Sequence, residues 1–306
     1  MWSACCKKRL LSDKRYGFHL QRLTHDAGRA SKGVHIILYN AAAVRGFSVC
    51  EIFAISSKHP VGANARLQEF FSHGLHHPHG WGLAWRDQYG WQVYKESLAS
   101  VDSNYLRYVL EEPLRTNQLV GHIRYATRGV VSIDNCHPFV GFDETGTQWV
   151  IAHNGTIFNT ALIQGYEAIE AGETDSEQVV LFLLDLLNAA AMRNGGSLDF
   201  AERFVILSQA VASLSVSNKL NLVLNDGVHT YVHTNTVRDT LFVEQRLATT
   251  FFCTVPLDDG GEWKPVPHCR LIAYKDGHME RIAAAHCNSF DDEAYLQHME
   301  LLSFVQ

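Results

Sequence analysis

Within the stretch RGFSVCEIFAISS, residues 45–57, the hydrophobic pattern and the charge of the sequence change abruptly. From Cys50 onward the apolar run CEIFAIS is typical of a short, largely buried β-strand. The preceding segment has no clear helical or strand period, and its charge differs. Residues 1–49 hold nine Lys and Arg against two Asp and Glu, a net charge of +7, whereas residues 50–306 hold 17 against 30, a net charge of −13. We therefore predict a non-core extension at 1–49 and one domain at 50–306.

The composition excludes several classes of protein. The chain has 306 residues, 46% of them hydrophobic and 19% charged, so a sizeable buried core is expected. The net charge of −6 gives no general reason to expect nucleic-acid binding. No apolar run approaches the roughly 20 residues that span a bilayer, and HIILYNAAAV (35–44) fits a signal peptide only loosely. Seven cysteines without a C-x-x-C pair form a poor disulfide framework and favour a cytoplasmic protein.

Alternating and short apolar runs predict several strands. WGLAWRDQYGWQVYKE (81–96) is typical of two strands joined by a turn. NQLVGHIRYAT (117–127) predicts a third strand, and QWVIAHNGT (148–156) a fourth that ends in the turn residues Asn154-Gly155. Two further hairpins are predicted at 219–235 and 270–282, because each contains an Asp-Gly turn signal.

Three segments have helical spacing. One follows Asn159 and closes at Gly172. The clearest covers 174–196, where Thr174 and Glu177 form a predicted capping box. The third covers 200–214. Since no repeat and no low-complexity linker divides the chain after Cys50, these elements predict one layered domain.

Five local motifs need a joint explanation. In chain order they are Cys50, HPHGWG (77–82), GHIRYATRG (121–129), NCHPF (135–139) with AHNGT (152–156), and ETDSEQ (173–178). Together they resemble the class II glutamine amidotransferases, of the N-terminal-nucleophile hydrolase superfamily, and in particular the small stand-alone bacterial members. The resemblance covers residues 50–180 motif by motif. It implies an α+β fold, a four-layer αββα sandwich of antiparallel sheets, and release of ammonia from the glutamine side chain through a cysteinyl γ-glutamyl thioester.

The resemblance makes Cys50 the nucleophile and its own α-amino group the base. An α-amine has an ordinary pKa of about 7.7–8.0, which suits general-base duty. This works only if Cys50 is the first residue, so residues 1–49 are expected to be absent from the mature enzyme. Either a propeptide is cleaved, or Val49 is the true start, encoded by GTG. Taken alone, Cys50 is also compatible with a small buried hydrophobe in a strand.

The resemblance assigns Asn154 and Gly155 to the oxyanion hole, through the Asn side-chain amide and the Gly backbone N–H. Glycine would also permit a close approach and an unusual backbone angle. Two simpler explanations exist for this pair: an Asn-Gly hairpin turn, and a glycosylation sequon, NGT.

The remaining site residues would hold the glutamyl end of the substrate. Arg124 would bind the α-carboxylate, because a guanidinium matches a carboxylate bidentately. Asp175 would bind the α-ammonium, although an acidic residue is favourable in any first helical turn. By resemblance the other substrate-binding residues are Thr127, His137, Trp81 and Gly82.

A group of histidines could suggest a metal site. These are His73, His76, His77 and His79. No second ligand cluster has convincing spacing, and Pro78 interrupts any helix that could align them. We predict neither a metal nor a cofactor.

The sequence leaves the substrate and the partners open. The substrate is glutamine or the γ-glutamyl amide of a larger metabolite, since Arg124 and Asp175 fit either. A cysteine acylase or a non-catalytic binding module on the same fold would also be compatible with the sequence. The candidate protein partners are an ammonia-accepting synthase and a second copy of the chain.

Overall fold

Residues 50–295 are described by a computed structural model, so the predicted extension at 1–49 lies outside the described residues. Within this range two antiparallel sheets are formed. The first has, in spatial order, β11 (Lys264–Pro265), β9 (Phe242–Arg246), β10 (Thr249–Cys253), β1 (Glu51–Gly62), β4 (Arg115–Ile123), β2 (Trp81–Asp87) and β3 (Gly90–Glu96). The second has β13 (His278–Ile282), β12 (Ile272–Lys275), β8 (His229–His233), β7 (Lys219–Asn225), β6 (Gln148–Thr156) and β5 (Phe139–Phe142).

Among the helices of the described residues, four cover the outer faces of the sheets. They are α1 (Asn64–Ser72), α2 (Asn104–Glu111), α3 (Asp175–Arg193) and α4 (Phe200–Leu214). Apolar residues of α1 and α2 pack with those of the first sheet, and α3 and α4 pack with the second. A third apolar cluster joins the two sheets face to face. The predicted α+β four-layer αββα sandwich is therefore confirmed.

Strand β1 shows why its sequence is a continuous apolar run. Phe53 and Ile55 pack in the cluster beneath α1 and α2, whereas Ile52 and Ala54 pack between the sheets. Successive side chains point to opposite faces of a strand, and here both faces are buried. The strand is longer than predicted, because it continues past an irregularity between Ser56 and Val61.

Most of the predicted elements are confirmed. The strands at 81–96 and 148–156, both later hairpins and the helices at 174–196 and 200–214 form close to their expected limits. The third predicted strand ends at Ile123, four residues early.

Two predictions about helices were wrong. The segment 159–172 forms turns and one short 3₁₀ helix, Tyr166–Ala168, rather than the predicted longer helix. Gly165 lies just before it in the left-handed region at φ 98°, which interrupts helical geometry. The capping box is half formed. Thr174 accepts the Glu177 N–H, but the Glu177 carboxylate accepts from the backbone of residues 171 and 172 instead of returning to Thr174.

Candidate active site

Cys50 immediately precedes β1, beside the end of β4. Its thiol accepts a hydrogen bond from the backbone N–H of Tyr125, 3.3 Å away, and lies 3.4 Å from the Tyr125 carbonyl oxygen. Burial raises the pKa of the thiol to about 11, against the opposing effects of the Tyr125 contact and the Arg124 charge. The thiol is therefore protonated at neutral pH, and a nucleophilic role would require a base close to it.

Asn154 lies directly beside Cys50, although it belongs to the other sheet. Its side-chain amide donates a hydrogen bond to the Cys50 backbone carbonyl. The predicted Asn154-Gly155 turn was wrong, since both residues lie inside β6 and pair with β7. Gly155 has no left-handed backbone angle; instead a Cβ there would lie 2.0 Å from the Lys219 carbonyl oxygen. Glycine is thus needed for close packing of the two strands.

Arg124 follows the last residue of β4 and is 3% exposed. Its guanidinium donates to the backbone carbonyls of Arg128, at 2.9 Å, and Val130, at 3.1 Å. It therefore holds the loop that follows β4, in which Thr127 is exposed. The positive charge also acts on the Cys50 thiol. The structure thus brings Arg124 near the predicted nucleophile but directs it to backbone oxygens.

Asp175 is the first residue of α3 and is 5% exposed. Its carboxylate accepts the backbone N–H of Ile157 at 2.8 Å, which ties the start of the helix to the end of β6. The negative charge of Asp175 raises the pKa of the Cys50 thiol slightly, opposite to the effect of Arg124. A cation and an anion therefore both lie within electrostatic range of Cys50.

Trp81, Gly82 and His137 lie behind the site. Trp81 is fully buried against Phe71, with ring centroids 5.8 Å apart, in the cluster beneath the helices α1 and α2. A Cβ at Gly82 would lie 2.0 Å from the His137 carbonyl oxygen. The His137 ring is hydrogen-bonded to His122 at 2.9 Å, and burial holds the pKa of both rings well below its usual value. These contacts support packing around the site.

A cavity of about 180 Å³ opens beside Cys50. Polar side chains dominate its lining, which consists of Cys50, Glu51, His77, Asn154, Lys219, Asn221, Asp239, Thr240, Thr254 and Val255. Arg124, Thr127 and Asp175 are absent from this lining. Of the predicted reaction centre, Cys50 and Asn154 therefore line the cavity, and the predicted glutamyl-binding residues do not.

The sequence interpretation missed Glu51, although it is adjacent to Cys50. Glu51 is 7% exposed, and its carboxylate lies 2.8 Å from His73 Nδ1 and 3.6 Å from His77 Nε2. Two of the grouped histidines therefore contact a carboxylate. Within residues 50–295, no group of three or more His, Cys, Asp or Glu side chains is arranged to hold a metal ion.

The chain is similar to several known proteins. A family model described as "Glutamine amidotransferases class-II" matches residues 49–250. The Escherichia coli (strain K12) protein "Putative glutamine amidotransferase YafJ" is 32% identical over 167 residues, which cover 52% of this chain and 62% of YafJ. A Bacillus cereus glutamine–fructose-6-phosphate aminotransferase is 33% identical over 102 residues, 32% of this chain and 16% of that protein. The chain thus spans less than two thirds of these curated relatives.

The fold also matches solved structures. One is a Pseudomonas aeruginosa PA01 protein described as a "predicted glutamine amidotransferase", with a TM-score of 0.54 at 20% identity, covering 76% of this chain and 100% of that chain. At this identity the match concerns the fold alone. Among the helices of residues 50–295, none has the length and apolarity needed to cross a membrane.

Proposed function

The chain belongs to the class II glutamine amidotransferases, and from this we propose that it hydrolyses the side-chain amide of glutamine with Cys50 as the nucleophile. The observation that best supports the proposal is the cavity that Cys50 and Asn154 line together. A nucleophile and a neutral hydrogen-bond donor at one opening are the minimum that acyl transfer needs.

The thiol needs a base, since its pKa is raised to about 11. In the proposed enzyme Cys50 is the first residue and its α-amine accepts the thiol proton. The sulfur attacks the amide carbon, the C–N bond breaks, and the nitrogen leaves as ammonia. Water then hydrolyses the γ-glutamyl thioester and restores the thiol. The proposal therefore requires that residues 1–49 are cleaved or never translated.

Asn154 and Gly155 would stabilise the oxyanion that forms during both steps. The Asn154 amide is already anchored to the residue that carries the nucleophile. A donor fixed in this way does not have to reorganise when negative charge develops, which is the basis of oxyanion stabilisation.

The glutamyl end would bind on the side of Arg124 and Asp175. Both are buried and act electrostatically on the thiol with opposite sign. An α-carboxylate could replace the carbonyl oxygens that Arg124 now binds, and an α-ammonium could bind Asp175. Thr127 would contact the same carboxylate, while Trp81, Gly82 and His137 would support this wall by packing.

A second candidate substrate is the γ-glutamyl amide of a larger amine. One observation favours it: the cavity lined by Cys50 and Asn154 does not include Arg124 or Asp175. The cavity would therefore face the nitrogen of the substrate amide rather than its glutamyl end. Its volume of about 180 Å³ far exceeds the minimum of about 10–15 Å³ that a molecule of water, similar in size to ammonia, requires.

If free glutamine is the substrate, the ammonia needs an acceptor. The matched Bacillus cereus aminotransferase contains its similar segment as a small part of a longer chain. We propose that a synthase takes up the ammonia, either within the same assembly or as a separate cytoplasmic partner. Two copies of this chain could also pair with each other.

The test is an assay of ammonia and glutamate release from glutamine by protein purified from its native host. The proposal expects equal amounts of both products and complete loss of activity on Cys50→Ala. The matched control is Cys287→Ala, because Cys287 is an exposed free cysteine. Release of glutamate without ammonia from a γ-glutamyl amide, but not from glutamine, would support the second substrate. Activity that survives Cys50→Ala would contradict both.

A further inference from the structure

Two peptide groups at the end of β4 lie between the Cys50 sulfur and His79, which belongs to the segment before β2. One joins Arg124 to Tyr125, and the other joins Tyr125 to Ala126. The N–H of the first donates to the Cys50 sulfur at 3.3 Å, and its carbonyl oxygen accepts the backbone N–H of His79 at 3.2 Å. The carbonyl oxygen of the second lies 3.4 Å from the same sulfur, and its N–H donates to Nδ1 of the His79 ring at 2.9 Å. Because the C=O and N–H of a planar trans peptide point in opposite directions, each group bridges His79 and the proposed nucleophile.

Only the second bridge depends on the side chain of His79. The first uses its backbone N–H, and a further backbone bond joins the Arg124 N–H to the Gly80 carbonyl oxygen at 2.8 Å. In the second bridge the ring nitrogen Nδ1 is the acceptor of the Ala126 N–H. Since a peptide N–H can only donate, Nδ1 must offer its lone pair, and the neutral ring carries its proton on Nε2.

The surroundings of the His79 ring favour its neutral form. Burial lowers the pKa of the ring from the ordinary 6.5, and the positive charges of Arg124, after β4, and of His77, in the same segment, lower it further. The ring also packs on the Tyr125 ring, with centroids 5.1 Å apart. A ring that takes up a second proton carries an N–H on both nitrogens and can no longer accept the Ala126 N–H. The second bridge therefore exists only while His79 is neutral.

We propose that neutral His79 is a positioning residue that fixes the Tyr125–Ala126 peptide against the nucleophile, a role that rests on the proposed function of Cys50. With this peptide fixed, the Tyr125 N–H also keeps its hydrogen bond to the sulfur. That bond lowers the pKa of the thiol and stabilises the thiolate that forms when the α-amine takes the proton. Protonation or removal of the ring releases the peptide and displaces this donor. No proton passes through His79, and the α-amine remains the base.

The experiment compares two substitutions of His79 in enzyme purified from its native host. In His79→Asn, the amide oxygen is as many bonds from the backbone as Nδ1, so it can accept the Ala126 N–H, but it does not titrate. His79→Leu has no acceptor. At neutral pH we expect kcat/KM for glutamine to stay within about threefold of the wild type in His79→Asn and to fall by about 10–100-fold in His79→Leu, as for a small misplacement of a reacting group. The matched controls, His59→Asn and His59→Leu, change an exposed residue of β1 and should leave activity unchanged.

The pH profile separates this role from packing alone. In the wild type both the α-amine and His79 must be neutral, so below both pKa values kcat/KM should fall by about 100-fold per pH unit. His79→Asn removes one of the two groups, and its kcat/KM should fall by about tenfold per pH unit. Activity measured again at neutral pH after each acid incubation excludes inactivation. A His79→Asn variant as damaged as His79→Leu, or profiles of equal steepness in the wild type and His79→Asn, would overturn the assignment.

A second measurement does not depend on glutamine hydrolysis. ¹⁵N NMR of protein labelled at histidine reports which ring nitrogen carries the proton, and the His79 signals are identified by their loss in His79→Asn. We expect a neutral ring with its proton on Nε2 at neutral pH, whereas a proton on Nδ1 would overturn the proposal. The expected ring in a native protein that hydrolyses no glutamine would instead contradict the proposed function of Cys50, with the hydrogen bond itself confirmed.

Discussion

The side-chain amide of Asn154 donates a hydrogen bond to the backbone carbonyl of Cys50. Asn154 lies in β6 of the second sheet, and Cys50 precedes β1 of the first. The bond therefore joins the two sheets at the position proposed for the nucleophile. Because the apolar core between the sheets fixes their separation, it also fixes the distance between the proposed oxyanion donor and the thiol.

The first prediction concerns this amide. Asn154→Ala should lower kcat for glutamine by about 10²–10³-fold, since one oxyanion donor contributes about 3 kcal/mol to the barrier. KM should change little, because the donor acts in the transition state. Steady-state kinetics measures both, and Asn104→Ala is the control at an exposed position of α2. An increase in KM at constant kcat would contradict the oxyanion role.

The second prediction concerns recognition of the glutamyl end. Arg124→Gln and Asp175→Asn should each lower kcat/KM for glutamine by about 10–100-fold, mainly through KM, since a hydrogen bond to a charged group contributes about 1.5–3 kcal/mol. Arg107→Gln, at an exposed position, is the control. The same variants are tested on a simple acyl amide that lacks the α-amino and α-carboxylate groups. If Arg124→Gln and Asp175→Asn leave activity unaffected, the chain is a cysteine acylase and the glutamyl assignment is wrong.

The third prediction concerns packing behind the site. A Cβ at Gly82 would lie 2.0 Å from the backbone carbonyl oxygen of His137, and a backbone atom cannot rotate away. Gly82→Ala should therefore lower the free energy of unfolding by about 1–3 kcal/mol. Gly62→Ala is the matched control, since nothing lies within 4 Å of its added Cβ. Denaturant unfolding measures the difference, and equal stability of the two variants would refute the clash.

The fourth prediction concerns acid sensitivity. Burial holds the pKa of His122 and His137 well below the ordinary 6.5, so the folded protein keeps both rings neutral. Below pH 6.5 the unfolded chain binds more protons than the folded one, so stability falls as the pH decreases. Each such ring adds up to about 1.4 kcal/mol per pH unit to the fall in the free energy of unfolding.

His137→Gln should therefore make the decline in unfolding free energy between pH 7 and pH 5 shallower, whatever its effect at pH 7. Denaturant unfolding at several pH values gives the slope. The exposed His59→Gln should keep the wild-type slope. A His137→Gln slope as steep as that of the wild type would show that this ring is protonated in the folded state.

The sequence predicted those parts of the fold that local pattern determines. The hairpins and the long helix α3 have strong turn, capping and periodic signals, and they form where expected. The segment 159–172 misled the prediction because its apolar spacing is helical, while Gly165 adopts a left-handed angle and the Glu177 carboxylate binds the backbone of its last residues.

The candidate site was predictable only where motifs mark it. Cys50 and Asn154 could be named from their motifs, and the structure places them in contact. Their contact depends on two sheets that meet across the core, which no local spacing encodes. Glu51 gave no such signal, and His77 was marked only as part of the HPHGWG motif and of the histidine group. The contact between them joins β1 to the segment after α1 and exists only in the folded chain.

Mass spectrometry can establish whether Cys50 acts as an N-terminal nucleophile. Active protein from the native host would be incubated with a thiol-directed glutamine analogue, and its intact mass, N-terminal sequence and labelled residue determined. We expect a chain that begins at Cys50 and carries one equivalent of label on that residue. An enzyme that hydrolyses glutamine while residues before Cys50 are retained, or that is labelled elsewhere, would contradict it.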